Sequence, residues 1–122
     1  MLQYSDYTRL VNKVIEEGGF SINVNTGAIP GAGYMVSIPG AEEIRNIASF
    51  DYKDIKSYAA RHFEQLAIPG AYLGAWLDGS EVYLDISINL DNLQDALGLA
   101  RNNKQLAIYD LASDESIYLA AY

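Results

Sequence analysis

Residues 72–88, YLGAWLDGSEVYLDISI, predict two β-strands that fold back on one another at an Asp-Gly turn. An Asp-Gly pair flanked by alternating apolar residues is a strong short-range signal for a two-residue hairpin loop. With Asp78 and Gly79 as the loop, the apolar residues of both strands share one face, where Leu73 pairs with Leu84. That face is expected to belong to the core.

The opposite face of the predicted hairpin mixes large aromatic side chains with carboxylates. The same loop places three pairs there: Trp76 beside Glu81, Gly74 beside Tyr83, and Tyr72 beside Asp85. Such a face can hold an acid/base pair in a cleft, form a surface for a partner, or lie beneath a helix. Features elsewhere in the chain bear on the choice among these three alternatives.

The other segments of the chain predict an α+β fold. Helices are expected from Ser5 to Gly18, from Asp51 to the residues before Pro69, and from Asp91 to Lys104. Strands are expected at residues 20–25, 34–38, 105–111 and 116–120, and residues 41–50 fit either a short helix or a strand. We therefore expect a single domain over residues 1–122, with a largely antiparallel sheet of about five to six strands packed with about three helices.

Apolar residues recur at helical spacing in each expected helix. The stripes expected to face the core are Tyr7, Leu10, Val11, Val14 and Ile15; Ile55, Tyr58, Ala59, Phe63 and Leu66; and Leu93, Ala96, Leu97 and Ala100. Asp51 and Asp54 stand at the offset of a capping box, and Asp91 is expected to cap the third helix. Residues 105–111 are apolar on both faces, which predicts a strand in the middle of the sheet.

The charge of the chain is strongly acidic and uneven. Sixteen acidic and eight basic residues give a net charge of −8, and residues 62–122 contain nine acids but only Arg101 and Lys104 as bases. Such a field repels phosphates and attracts a basic surface, so we expect no direct nucleic-acid binding. An acidic surface that only maintains solubility is the alternative.

Composition excludes several kinds of site. The chain has no cysteine, which excludes thiol catalysis, thiolate metal ligands and disulfides. The first ten residues, MLQYSDYTRL, lack a basic start and an apolar run, and no apolar stretch is long enough to span a membrane. We expect a soluble, cytoplasmic protein that contacts no membrane.

The glycine-rich residues 26–40, TGAIPGAGYMVSIPG, do not fit a phosphate-binding motif. A dinucleotide fingerprint needs a third glycine where Val36 stands, and a helix where a strand is expected. A P-loop needs Gly-Lys-Ser/Thr, and no lysine lies between Lys13 and Lys53. A shaped loop is expected, with a mobile ligand-contacting loop at residues 26–33 as the alternative.

The titratable residues give no cofactor or metal site. His62 is the only histidine and is expected to be half-buried and packed on the second helix. Glu81 and Asp85 are four residues apart, about 13 Å along a strand, which exceeds the separation of a glycosidase pair. Asp91 and Asp95 lack the alternating ligands and central glycine of a calcium loop.

Aromatic residues are unusually frequent, with ten tyrosines and one tryptophan. Tyrosine and tryptophan are enriched at protein interfaces, and aromatics interleaved with carboxylates suit an Arg- and Lys-rich partner. The residues expected to bind a partner are Tyr72, Trp76, Asp78, Glu81, Tyr83 and Asp85, with Asp91, Asp95, Asp114 and Glu115 as a wider acidic field. If a helix covers this face, the same aromatics belong to the core.

Three short patterns resemble small accessory proteins of phages, prophages and plasmids, especially actinobacterial ones. They are Gly33-Tyr34, the W-x-D-G and V-Y-L-D hairpin, and N-x-x-Q-x-A-I-x-D-L at 102–111. The resemblance covers most of the chain from about residue 31 onward and carries over no catalytic residue. It implies a setting in which small acidic proteins inhibit host defence, among them antirestriction and anti-CRISPR proteins that present carboxylates in place of phosphates.

Together these features predict a non-catalytic module that binds the basic surface of a host protein. The most concrete form is a mobile-element inhibitor of a nucleic-acid-processing enzyme. One alternative is a small-molecule binder or small enzyme, with residues 26–33 as a lid and His62 or Asp85 as the polar group. Another is a structural or regulatory protein whose aromatic face forms a homodimer.

Overall fold

Helices and antiparallel strands alternate along residues 2–121, the part of the chain that the computed structural model describes. The helices are α1 (Tyr4–Glu17), α2 (Tyr52–Arg61), α3 (Phe63–Leu66) and α4 (Leu93–Asn102). The strands are β1 (Gly19–Ile22), β2 (Tyr34–Ser37), β3 (Glu43–Asn46), β4 (Ala71–Asp78), β5 (Glu81–Leu90), β6 (Ala107–Asp110) and β7 (Glu115–Tyr118). Two 3-10 turns, Ile47–Ser49 and Leu119–Ala121, complete the elements.

The predicted α+β class is confirmed, with one strand and one helix more than expected. The extra strand is β3, in the segment that the sequence left open, and it pairs with β5. The extra helix arises because the second predicted helix breaks at His62 into α2 and α3. Within residues 2–121, no helix is long and apolar enough to cross a membrane.

The ten-residue strand β5 organises the sheet. The strand order is β1-β4-β5-β2-β6-β7, and every pairing is antiparallel. Along one edge β5 pairs with β4, and along the other edge it pairs first with β3 and then with β2. The strand predicted at 105–111 is an interior strand, since β6 pairs with β2 on one side and with β7 on the other, but it lies one strand from the edge and not in the middle of the sheet.

All four helices pack on the same face of the sheet. Buried residues of α1, α2 and α3 share one cluster with Leu73 and Leu84, and buried residues of α4 share a second cluster with Val36. The register puts these strand residues on one face, since Leu73 is opposite Ile86 and Val36 is opposite Ile88. The other side of the sheet, here termed the open face, carries the alternate residues of each strand.

The hairpin turn is formed by Gly79 and Ser80, so the predicted Asp-Gly loop is wrong. Asp78 pairs with Glu81, and Gly79 has a φ of 61°. A type II′ turn takes glycine at its first central position, which favours Gly-Ser over Asp-Gly here. The new register moves every cross-strand partner by two residues, so each side chain keeps its predicted face.

Helix caps agree with the sequence in one helix of three. Asp51 and Asp54 form the predicted capping box of α2. In α1 the capping box uses Gln3, two residues earlier than the expected Ser5, and in α4 the cap is Asn92 in place of Asp91. Short polar side chains compete for the same role at a helix start, so adjacent candidates are hard to separate in the sequence.

Two residues of the predicted apolar stripes are exposed, Ile15 and Phe63. Ile15 lies about 100° around α1 from the buried Val14, which puts it outside the buried stripe. Phe63 follows the break at His62, where the helical phase changes. Leu66, at the end of α3, remains in the core.

Candidate functional site

The open face is concave and forms a groove of about 840 Å³. Residues from β1 at one edge of the sheet and from β7 at the other edge line the same space, so the sheet curves around it. Ile29 and Pro30 border the groove from the loop between β1 and β2. The groove is therefore bounded by the sheet beneath and by the glycine-rich loop beside it.

Asp85 is a buried carboxylate that lines this groove. The residue is only 7% exposed and lies directly opposite Gly74. A Cβ atom at Gly74 would come within 2.7 Å of Asp85 Oδ1, so any larger residue at that position would force the carboxylate to move. The absence of a side chain on β4 thus creates the space that the Asp85 carboxylate occupies.

The hydrogen bonding of Asp85 is incomplete. Ser37 Oγ donates to Asp85 Oδ2 over 2.9 Å and also lies 3.5 Å from Ser87 Oγ. Among residues 2–121, Ser37 is the only hydrogen-bond partner of this carboxylate, and no Lys, Arg or His pairs with it. The pKa of Asp85 is raised to about 6, mainly by burial and to a smaller extent by the charge of Glu42, while the Ser37 hydrogen bond opposes the rise.

A stacked aromatic pair lies next to Asp85 on the open face. Trp76 and Tyr83 are cross-strand partners with ring centroids 5.6 Å apart and planes inclined by 7°. Trp76 is 40% exposed, and Ile44, the partner of Tyr83 on β3, is 45% exposed. The three adjacent strands β4, β5 and β3 therefore present one contiguous exposed apolar surface. Large exposed apolar patches on proteins mark interaction sites.

Carboxylates surround the aromatic pair. Asp78 and Glu81 are exposed at the end of the hairpin, and the Glu81 charge is the main cause of the raised pKa of Tyr83. Glu17 and Asp114 line the groove from the end of α1 and from the turn between β6 and β7. No Lys or Arg lies among the groove-lining residues of the described chain.

The structure brings together seven of the ten residues predicted to bind a partner. Those on the open face or at its rim are Tyr72, Trp76, Asp78, Glu81, Tyr83, Asp85 and Asp114. The other three lie elsewhere: Asp91 is exposed beyond β5, Asp95 is in the first turn of α4, and Glu115 pairs with Asp110 on the helix-bearing side. Asp85 is the only member of the set that is buried.

Of the two polar groups considered for a small ligand, only Asp85 lies in the groove. His62 belongs to the helix-bearing side, where its Nε2 is 2.9 Å from Glu43 Oε2. Its ring packs on Tyr58, with centroids 4.4 Å apart. The expected packed, half-buried histidine is confirmed, and its place in a ligand site is not supported by this geometry.

A charged cluster around Glu43 was not visible in the sequence. The Glu43 carboxylate accepts hydrogen bonds from Arg45 and Arg61 and contacts His62. Burial acts to raise the pKa of Glu43, but hydrogen bonds from His62, Arg61 and Arg45 outweigh it and lower the value to about 2. This cluster joins the end of α2 to β3, and its partners Arg61 and His62 are 18 and 19 residues from Glu43 in sequence.

Within the described residues, no group of three or more His, Cys, Asp or Glu side chains is placed to hold a metal ion. Comparisons with protein-family models, curated proteins and solved structures found no significant match. The function is therefore argued from the open face itself.

Proposed function

We propose that the chain is a non-catalytic protein-binding module that holds a basic segment of a partner protein against the open face. The single observation that carries this proposal is the placement of all four helices on one side of the sheet. The stacked pair of Trp76 and Tyr83 is thereby left uncovered beside acidic side chains.

The aromatic surface supplies contact area and cation–π attraction. Trp76 and Tyr83 offer flat ring faces to an arginine or lysine side chain, and Ile44 extends the apolar area onto β3. Aromatic residues of this kind dominate binding energy at many interfaces. The pair is the expected centre of the interface.

The carboxylates supply steering and specificity. Asp78 and Glu81 are exposed beside the rings, and Glu17 and Asp114 border the groove. Among residues 2–121, no basic side chain lines the groove and neutralises them. A surface of one charge sign accelerates encounter with an oppositely charged partner and disfavours acidic ones. This argument supports a basic partner and opposes direct binding of nucleic acid.

The partner that fits best is a host protein that processes nucleic acid, because such proteins concentrate Lys and Arg on one surface. The chain would then act as a mobile-element inhibitor of the antirestriction or anti-CRISPR type, in the setting implied by the phage-like patterns. Its carboxylates would occupy positions that phosphates take in the nucleic-acid complex.

The test is a quantitative capture from host lysate with two matched charge-reversal variants. Asp78→Lys with Glu81→Lys alters the open face, and Asp91→Lys with Asp95→Lys makes the same charge change outside it. A basic protein retained by the wild type and by the second variant, but lost from the first, supports the proposal. Equal retention on all three contradicts it.

A second candidate function, small-molecule binding, is favoured by the groove volume, which falls in the range of ligand sites. Ligand-induced thermal shifts that disappear in Asp85→Asn would favour it. Self-association through the open face is distinguished from both functions by native mass spectrometry. Self-association predicts a dimer in the wild type and a monomer in Trp76→Ala.

A further inference from the structure

We infer that the groove binds one guanidinium group, carried by an arginine side chain of the partner, with Asp85 as its counter-ion and Trp76 as its stacking surface. This inference rests on the proposed function and names the group that the open face recognises.

The first step is the unmet capacity of Asp85. A carboxylate can accept about four hydrogen bonds, and Asp85 accepts one, from Ser37. Asp85 is only 7% exposed, and no Lys, Arg or His among residues 2–121 forms an ion pair with it. No fully buried side-chain N or O atom of the described residues lacks a hydrogen-bond partner. Asp85 Oδ1, which accepts no hydrogen bond from residues 2–121, is therefore accessible from the groove, where a donor from outside the chain can reach it.

The second step is the room around the carboxylate. Small residues surround it on the open face: Ser21 and Gly74 on one side, and Ser37 and Ser87 on the other. Because Gly74 has no side chain, Asp85 Oδ1 lies over the backbone of β4, with the small Ser21 hydroxyl as the neighbouring side-chain group. The space leads from Asp85 into the groove, which is much larger than a single side-chain head group.

The third step is the chemistry of the occupant. Trp76 is two residues from Gly74 along β4 and lines the same groove, so one planar cation can meet both Asp85 and the indole ring. A guanidinium donates in a planar fork that suits a carboxylate and stacks on aromatic rings. A lysine ammonium lacks the planar fork, and one carboxylate with serine hydroxyls does not make a metal site. Arginine is therefore the best match.

Proton competition gives the site a pH dependence. The titratable groups that line the groove together with Asp85 are Glu17 from α1, Tyr109 from β6 and Asp114 from the turn before β7. Glu42, from the loop before β3, is the charge that acts on Asp85. Tyr58 of α2 is also close enough to Asp85 for the two groups to interact, since burial and then the charge of Asp85 raise the pKa of Tyr58. Burial, with a smaller contribution from the charge of Glu42, raises the pKa of Asp85, so a proton occupies the site as pH falls below about 6.

The probe is the peptide acetyl-Gly-Arg-Gly-amide, titrated into the full chain with detection by backbone amide NMR shifts. Two control peptides carry lysine or citrulline in place of arginine, the latter having the same shape without the charge. We expect saturable shifts at Gly74, Asp85 and Trp76 with the arginine peptide, at least tenfold weaker binding of the citrulline peptide, and weaker binding of the lysine peptide. Equal binding of all three peptides, or no shifts with arginine, overturns the inference.

Matched variants assign the site. Asp85→Asn keeps the shape of the side chain and is expected to weaken binding at least tenfold, whereas Asp91→Asn removes an exposed carboxylate outside the open face and is expected to change it less than twofold. For the wild type, affinity should fall about tenfold between pH 7.5 and pH 5. An unchanged affinity in Asp85→Asn overturns the inference.

The two proposals fail separately. If the arginine peptide does not bind but a captured basic partner still depends on Asp78 and Glu81, only the guanidinium site is wrong. If the peptide binds through Asp85 but no partner depends on the open face, the protein-binding function is wrong and a small guanidinium ligand becomes the occupant.

Discussion

Asp85 lies opposite Gly74 across the β4–β5 ladder, and the carboxylate occupies the space that a side chain on Gly74 would fill. This relationship puts a buried acid beside the exposed aromatic pair of the open face. It also explains why a glycine is accommodated in the interior of a strand, where it usually weakens the sheet. The site chemistry and the stability of the chain are therefore linked at one pair of residues.

The first prediction concerns the Gly74 position. Gly74→Ala should destabilise the chain by about 1–3 kcal/mol, because the new Cβ would lie 2.7 Å from Asp85 Oδ1. Urea unfolding measures the change. Gly98→Ala is the control, since Gly98 lies inside α4 with open space around it, and it should stabilise by about 0.5–1 kcal/mol. A neutral Gly74→Ala would show that the carboxylate moves freely.

The second prediction concerns pH. Burial raises the folded-state pKa of Asp85 from 3.8 to about 6, so the folded chain binds this proton more tightly than the unfolded chain does. The stabilising contribution is complete below pH 3.8 and is lost as pH rises to about 6, by on the order of 3 kcal/mol. Urea unfolding from pH 4 to 7.5 should show this fall in the wild type.

The variant Asp85→Asn isolates that contribution. Its amide does not titrate, so its stability relative to the wild type should increase as pH rises through 6. The free energy of unfolding of Asp78→Asn, a substitution at an exposed position, should change with pH as that of the wild type does over the same range. If that of Asp85→Asn also follows the wild type, Asp85 is not the group responsible.

The third prediction concerns Glu43, whose pKa is shifted in the opposite direction. Its folded-state pKa of about 2 lies below the usual 4.5, so its contribution is present above pH 4.5 and is lost as pH falls toward 2. Glu43→Gln should cost on the order of 1 kcal/mol at pH 7, because its contacts with two arginines and His62 are partly exposed to water. Thermal unfolding at pH 7 and pH 3 would show the difference from wild type narrowing in acid, and a constant difference would contradict this account.

The fourth prediction tests the turn. Gly79 has a φ of 61° and nothing near its Cβ position, so Gly79→Ala should cost about 1 kcal/mol through backbone strain alone. Asp78→Ala, at a strand position, should have a smaller effect. Chemical denaturation of both variants gives the comparison, and the reverse order would favour an Asp-Gly loop.

The sequence was sufficient to predict which face of the sheet each hairpin side chain occupies, but not which residues pair across the two strands. Alternation along residues 72–88 assigned Trp76, Tyr83 and Asp85 to one face, and this assignment is confirmed. The cross-strand register was wrong because Asp-Gly and Gly-Ser are both acceptable turns, and moving between them preserves the faces. The burial of Asp85 followed from the true register, which sets it against Gly74.

Features that depend on distant segments could not be predicted. The cluster around Glu43 joins β3 to the end of α2 and to His62, and no local sequence pattern signals contacts across 18 or 19 residues. Asp91, Asp95 and Glu115 were grouped with the open face by charge alone, although side-chain direction separates them from it. Likewise, helices on only one side of the sheet are a property of the whole chain topology.

The fluorescence of Trp76, the only tryptophan in the chain, reports directly on the open face. Acrylamide should quench it readily in the free protein, since the ring is 40% exposed. Saturating octa-arginine, as a stand-in for the basic segment, should reduce quenching in the wild type but not in the variant Asp78→Lys with Glu81→Lys. Quenching that is already weak in the free chain, or that octa-arginine leaves unchanged, would contradict an open face that binds a basic partner.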